Sequence, residues 1–523
     1  MKDRSMRNTA AEKIEESGAA DFPALAIPAA WTMLEDGDSR LDLDPTTGLD
    51  RYGCAALPQS GAAELASSTA STVSLAGLAA AEALWRHFAE AETVESRERV
   101  AAAAADVITK DLLTAVGIGP REKAAPVLAA SGTTAILMAT GLALDSAMEP
   151  ALAVIVGAEE TGTGVIAAAT GRHPCARTPL GTQVGPGWRV AGYPADFATA
   201  TVAIRDETGH PLSAGAVFDR VLRAVARGRA AGRRVVVTVL ESSKTGLVAP
   251  GIAAVLELRE RFPDVAVIVD ACQWRTGSAV LRRYLAAGCI VVVSGSKFYG
   301  GPPFSGALLV PSALAQGRTP LPEGLAAYSW RGDWPAEWDN RCAGLPRRAN
   351  PGLLLRWRAA LAEIAAFRAL PPQRVTELLA VFHEIVQLEA SACGFALLPP
   401  PPPVASVDDA EPWAGLPSIF PVAVARPDGG WFGVEALGVL QSLLRQNAGP
   451  RLGAEATLHE RTIASRACYV GQPVALGSGL AVLRIAVGAR LLTAADSRGG
   501  PVLLHRDVAD SLRKLAMIVK RLG

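Results

Sequence analysis

Neither sign of charge is in excess: 51 lysines and arginines face 51 aspartates and glutamates, interspersed along 523 residues. A formal net charge of zero removes the electrostatic case for nucleic acid or an anionic membrane as partner. Cysteine is sparse and unpatterned. Its seven positions (54, 175, 272, 289, 342, 393 and 468) contain no C-x-x-C pair. That argues against a disulfide framework or a zinc site and for a reducing compartment, and no metal is expected. No apolar run reaches the roughly 20 residues that a bilayer span needs. The opening stretch MKDRSMRNTAAEKIEESG is charged and lacks the apolar centre of a signal peptide. A cytoplasmic protein is expected, with small molecules or other proteins as partners, no nucleic acid and no membrane.

Half of the residues are hydrophobic, enough for a sizeable buried core. Residues 1–50 are polar with little periodicity, and we expect 1–75 to be an N-terminal arm. Alanine-rich sequence from about 76 to 118 has helical spacing. Short apolar runs of strand length follow at 152–157, 235–240, 265–269, 290–293 and 307–310, with helical segments such as 215–231 and 251–262 between them. Continuous β-branched runs alternating with helices predict an α/β fold, three layers with a mostly parallel sheet buried on both faces, over 76–354. A long helical stretch at 352–390 leads into a smaller α+β C-terminal domain, 355–523. Five consecutive prolines in LLPPPPPVASVDDAEP (397–412) mark a surface loop within it. No internal repeat is visible.

In open α/β sheets, ligands collect where the carboxyl ends of strands meet turns and helix starts. Four such places carry chemistry. Ser131-Gly132-Thr133-Thr134 opens a helix, which makes either an ordinary N-cap or an anion site suited to phosphate. Asp270 closes the run VAVIVD and needs a partner to offset desolvation: a cation, a protonated ring nitrogen, or the N–H groups of a following cap. Lys297 follows IVVVSGS, 27 residues after Asp270. It is either a solvated turn lysine or an amine able to form a Schiff base with an aldehyde. VLESSKTGLVAPG (239–251) is a further strand end, with Glu241, Ser242, Ser243 and Thr245.

The order and spacing of these turns over roughly 125–360 resemble the fold type I pyridoxal-phosphate (PLP) enzymes, in particular the class V aminotransferase and cysteine desulfurase group. The resemblance implies that Lys297 carries the cofactor as a Schiff base and that Asp270 pairs with its ring nitrogen. Gln273 would bond its phenolic oxygen, with Ser243 or Thr245 nearby. Gly132, Thr133, Thr134, Ser294 and Ser296 would hold the phosphate. Two departures stand out. Ser296 occupies the place where the desulfurase branch has histidine, and Glu159, Glu160 or Thr161 falls where the family stacks a histidine on the ring. His173 lies further along.

Near the C-terminus, Arg484 sits inside the apolar alternation GLAVLRIAVGARLL. It is either a substrate-carboxylate site, the role the resemblance implies, or half of a structural salt bridge. Cys468 stands 16 residues earlier, at a similar distance to the persulfide-forming cysteine of desulfurases, but its neighbours suit a buried strand. The tryptophan-rich YSWRGDWPAEWDNR (328–341) reads as a substrate wall, a subunit contact or a self-pinned loop. The hydroxyl-rich ELASSTASTVSLAG (64–77) has no assignable place. The resemblance therefore implies a homodimeric PLP enzyme acting on an amino acid or amine through a Schiff base between substrate and cofactor. Transamination is the first expectation and C–S cleavage or desulfuration using Cys468 the second. A non-catalytic regulator or scaffold of the same fold, and an unrelated α/β protein whose turns are plain caps, are the alternatives.

Overall fold

The computed structural model describes residues 26–35, 37–119, 124–144, 149–315, 319–399, 410–477 and 479–522. Two sheets organise them. Seven strands form the larger: β2 (Ala124–Ala129), β3 (Ala151–Val156), β4 (Phe197–Val202), β5 (Arg234–Leu240), β6 (Ala266–Ala271), β7 (Ile290–Ser294) and β8 (Gly306–Pro311). Their spatial order is β2-β8-β7-β6-β5-β3-β4, and β8 alone runs antiparallel to its neighbours. Alternate side chains on these strands enter two separate cores, as the two-residue period of a strand requires. Leu152, Val154, Val237, Val267 and Val269 pack with helices Val94–Ala115, Ala214–Ala230, Ile252–Arg261 and Ser278–Ala286. Ala153, Ile155, Val236, Ile268 and Val292 pack with helix Gly132–Leu144 on the opposite face. The result is the three-layer α/β architecture expected from the apolar runs.

Five of the seven strands coincide with those runs to within a residue or two at either end. The alanine-rich region divides into helices Leu75–Glu90 and Val94–Ala115, because Thr93 and Ser96 form a reciprocal capping box that starts the second helix afresh. The long stretch at 352–390 likewise divides into Pro351–Arg368 and Pro372–Ala392, since a proline at the first helical position begins a helix and cannot continue one.

The smaller sheet runs β1-β11-β12-β10-β9. Its strands are β1 (Ala63–Leu65), β9 (Ala396–Leu397), β10 (Ile419–Ala423), β11 (Cys468–Gly477) and β12 (Leu480–Ala486). Of the proline-rich loop at 397–412, residues 400–409 lie outside the described residues. The stretch expected as an arm takes part in both units. Its residues up to 25 lie outside the described ones, helix Ala26–Leu34 packs on Leu355 and Ala359, and β1 pairs in parallel with β11. Ala63 and Leu65 are fully buried there, so this segment belongs to the small sheet's core.

Candidate active site

Lys297, Asp270 and the Ser131–Thr133 turn face one cavity of about 140 Å³ at the carboxyl edge of the large sheet. Strand ends bring them together: β6 delivers Asp270, β7 delivers Ser294 and then Lys297, and β2 runs into the helix that begins at Gly132. The Lys297 amine makes no hydrogen bond to any described residue. Asp270 is fixed from two sides. Its Oδ2 accepts from Thr161 Oγ1 at 2.9 Å and its Oδ1 from the Cys272 N–H at 3.1 Å. The carboxylate thus acts as a turn cap and still lines the cavity.

The hydroxyl-rich end sits at the start of helix Gly132–Leu144. Ser131 Oγ accepts from the Thr134 N–H at 3.1 Å, and Ser294 and Ser296 bring their hydroxyls within 2.6 Å of one another. A Cβ on Gly132 would stand 2.5 Å from Cys272 Sγ, and one on Gly306 would stand 2.5 Å from the Ser131 carbonyl carbon. Only glycine lets these turns approach so closely. Free N–H groups of a first helical turn, flanked by hydroxyls, bind anions such as phosphate.

Several contributors escaped the sequence reading. Arg40 and Tyr52 come from the N-terminal segment. The Arg40 guanidinium pairs with Asp38 and donates to Ser131 Oγ at 3.2 Å and Thr133 Oγ1 at 3.3 Å, stacked over Phe304. Ser68 and Thr69, from the hydroxyl-rich 64–77, form a wall, and Ser68 Oγ is buried without a partner. Lys244 and Cys272 also line the cavity. Lys244 stood inside the strand-end turn 239–251, so its signal was present; Arg40 and Tyr52 had no periodicity or motif to announce them. Phe304 holds a left-handed backbone (φ 69°), and its carbonyl accepts from Arg356 Nε at 2.8 Å.

Other expected residues lie around the cavity, not in its wall. Gln273 donates through Nε2 to the Ser68 carbonyl at 3.0 Å, and its Oε1 accepts from Arg275. Ser243 Oγ donates to Glu160 Oε2 at 2.6 Å, and Thr245 Oγ1 bonds the same oxygen. Glu160 in turn pairs with buried Arg205, while Glu159 accepts from the Ile204 N–H at 2.9 Å. Of the three residues expected over the ring, two are therefore engaged elsewhere and Thr161 holds Asp270. Gly162 and Thr163 supply the wall at that place. His173 stacks on Tyr328, 5.8 Å away.

Arg484 on β12 reaches the cavity, buried. Its Nε donates to the Gln472 carbonyl at 2.8 Å, and its Nη1 to the carbonyls of Ser68 (3.0 Å) and Lys244 (3.3 Å). Its Nη2 donates to Thr69 Oγ1 at 2.7 Å. Burial brings it down to about 10. Cys468 does not reach the cavity. It opens β11 opposite Ala63 of β1, fully buried, and burial raises its thiol. The tryptophan loop lies apart, with Trp330, Trp334 and Trp338 lining a second cavity against helix Val94–Ala115.

The fold is that of the fold type I PLP-dependent enzymes, shared with solved cysteine desulfurases, a C–S lyase and a decarboxylase. The cystine C–S lyase C-DES, solved with its product cysteine persulfide, superposes over 87% of this chain and 98% of its own, with a TM-score of 0.53 at 11% identity. The cysteine desulfurase CsdA from Escherichia coli covers 88% of this chain and 95% of its own, with a TM-score of 0.50 at 13% identity. A glutamate decarboxylase domain from Vibrio parahaemolyticus covers 86% and 80%, with a TM-score of 0.51 at 13% identity. No family model matches the chain, and no curated protein matches its sequence.

Proposed function

We propose that this protein is a PLP-dependent enzyme acting on an amino acid or amine, with transamination as its reaction. The observation that carries this reading is the Lys297 amine, without a hydrogen bond among the described residues, facing the same cavity as Asp270 and a hydroxyl-lined helix start. The residues fit the cofactor: Ser131, Gly132, Thr133, Ser294 and Ser296 would hold its phosphate, Asp270 its ring nitrogen and Lys297 its aldehyde carbon. Bound there, the cofactor supplies an electron sink for charge developing at the substrate's Cα.

The chain's own residues do the rest. Asp270, held by Thr161 Oγ1 and the Cys272 N–H, keeps its charge aimed at one place. Lys297 would take the proton from the substrate's Cα and, for transamination, give it up on the side of the cofactor's aldehyde carbon instead of back to Cα, the task of a positioned amine. Pro303 and Phe304 supply apolar wall to the cavity. Transamination asks for no group beyond these. The cysteine expected for a persulfide relay, Cys468, is buried outside the cavity, and a purely regulatory role would need neither Lys297 nor Asp270.

Purified protein supplied with PLP should acquire the visible absorbance of lysine-bound pyridoxal, and Lys297→Ala should lose it. Incubation with single amino acids, scored for keto acid, sulfide and carbon dioxide, then reads the reaction. A colourless wild type that cannot be reconstituted would end the cofactor reading; sulfide without keto acid would replace transamination by C–S cleavage.

A further inference from the structure

Lys244 follows β5 and faces the cavity beside Arg484 and Lys297. Its backbone is held at both ends: its N–H donates to the Glu160 carbonyl at 3.0 Å and its carbonyl accepts from Arg484. Its amine, by contrast, makes no hydrogen bond to any described residue. Arg484 is in the opposite condition. A guanidinium has five N–H donors, and four of these are taken by Gln472, Ser68, Lys244 and Thr69. One donor on Nη2 remains, too few for the two parallel bonds by which arginine grips a carboxylate.

The charges lining the cavity point the same way. Arg40, Lys244, Lys297 and Arg484 face it, against the single carboxylate of Asp270. Asp38 neutralises Arg40 at the hydroxyl-rich end. In the cavity wall Lys244 and Arg484 add two cations, and the nearby Glu160 carboxylate lies outside that wall, committed to Arg205.

We infer that Lys244 is the principal recognition group for the substrate's carboxylate, with Arg484 adding charge and one N–H, so that the substrate is a carboxylate-bearing amino acid and not a simple amine. This rests on the PLP reading above. Lys244 offers three donors on a flexible stem.

The groups facing Lys244 come from four elements. Burial, then the charges of Arg484 and Lys297, lower its amine to about 8, opposed by Glu160 and Asp270. Lys244 is therefore a cation below that pH and loses its charge above it, and carboxylate binding weakens with the charge.

The experiment is a spectral titration of the cofactor-loaded protein, independent of turnover. The standard amino acid that shifts the spectrum at the lowest concentration is compared with its own decarboxylated amine. Lys244→Met should weaken the amino acid by roughly 10- to 100-fold and leave the amine unchanged, with partial recovery in Lys244→Arg. Between about pH 7 and about pH 9 the wild type should lose more affinity for the amino acid than Lys244→Met does. An unchanged amino-acid-to-amine ratio in Lys244→Met overturns the assignment, as does a wild type whose spectrum responds to amines alone. Loss of cofactor absorbance in both Lys244 variants would make the residue part of the cofactor site and overturns it too. Failure of the cofactor reading is seen separately, as a wild type that takes up no PLP.

Discussion

Thr161 Oγ1 donates to Asp270 Oδ2 at 2.9 Å across 109 residues of sequence, joining the turn after β3 to the end of β6. With the Cys272 N–H on the other oxygen, this bond decides which way the carboxylate points. Asp270→Asn keeps the shape and removes the charge, and should lower turnover by roughly 10²–10³-fold, the usual loss when a preorganised electrostatic partner is removed. Thr161→Val should fall between the two. Steady-state kinetics on the best substrate measures both; wild-type turnover in Asp270→Asn would separate this residue from the chemistry.

Gly306 is the tightest backbone contact beside the site. A Cβ there would stand 2.5 Å from the Ser131 carbonyl carbon, where no side chain can swing aside. Gly306→Ala should cost about 1–3 kcal/mol of stability by overpacking and should weaken PLP binding by moving the helix start. Gly344→Ala is the control, since nothing lies within 4 Å of its added Cβ. Equal PLP affinity in the two variants would contradict this account.

Glu160 and Arg205 form a buried ion pair tied in by Ser243 and Thr245. Glu160→Ala leaves the Arg205 charge buried with its carboxylate removed, which costs about 3–5 kcal/mol when such pairs are broken from one side. Denaturant unfolding reads this directly. A loss below about 1 kcal/mol, the range of exposed pairs, would mean that Arg205 finds water on removal of its partner.

Glu241 is buried next to Asp270, and its Oε2 has no hydrogen-bond partner. Burial, with Asp270 adding to it, pushes its carboxyl up to about 7 from the ordinary 4.5. The folded state therefore holds a proton that the unfolded chain releases. That contribution to stability is fully present below about 4.5, falls as pH rises towards 7, and is exhausted above it, by up to about 3 kcal/mol in all. Glu241→Gln should be more stable than wild type at about pH 8 and flatter across this window. Parallel stability profiles for the two proteins would refute it.

What the sequence made legible follows from how local each signal is. Lys297, Asp270, Ser294 and the Ser131–Thr133 turn sit where an apolar run ends, and a strand end can be read from a few adjacent residues. Arg484 was visible as a cation among alternating apolar residues. Two strands were passed over for physical reasons: β2 contains Pro126, tolerated because β2 is an edge strand, and β4, the other edge, alternates exposed Thr199 and Thr201 with half-buried alanines. Arg40, Ser68 and Thr69 belong to the site only through contacts over long separations, such as the 416 residues between Ser68 and Arg484. Gln273, Ser243 and Thr245 were placed near the cofactor by resemblance; in the structure their side chains hydrogen-bond Ser68 and Glu160.

The pairing of β1 with β11 also sets a timetable. β1 lies near the start of the chain, whereas its partner strand begins at Cys468 and Arg484 follows on β12. Until the ribosome has delivered those last strands, β1 has no neighbour and the Ser68 carbonyl has no guanidinium to meet. Contacts of such separation form late because the loop between them must first be closed. The candidate site is thus among the last features of the molecule to exist, because its walls come from segments more than 400 residues apart.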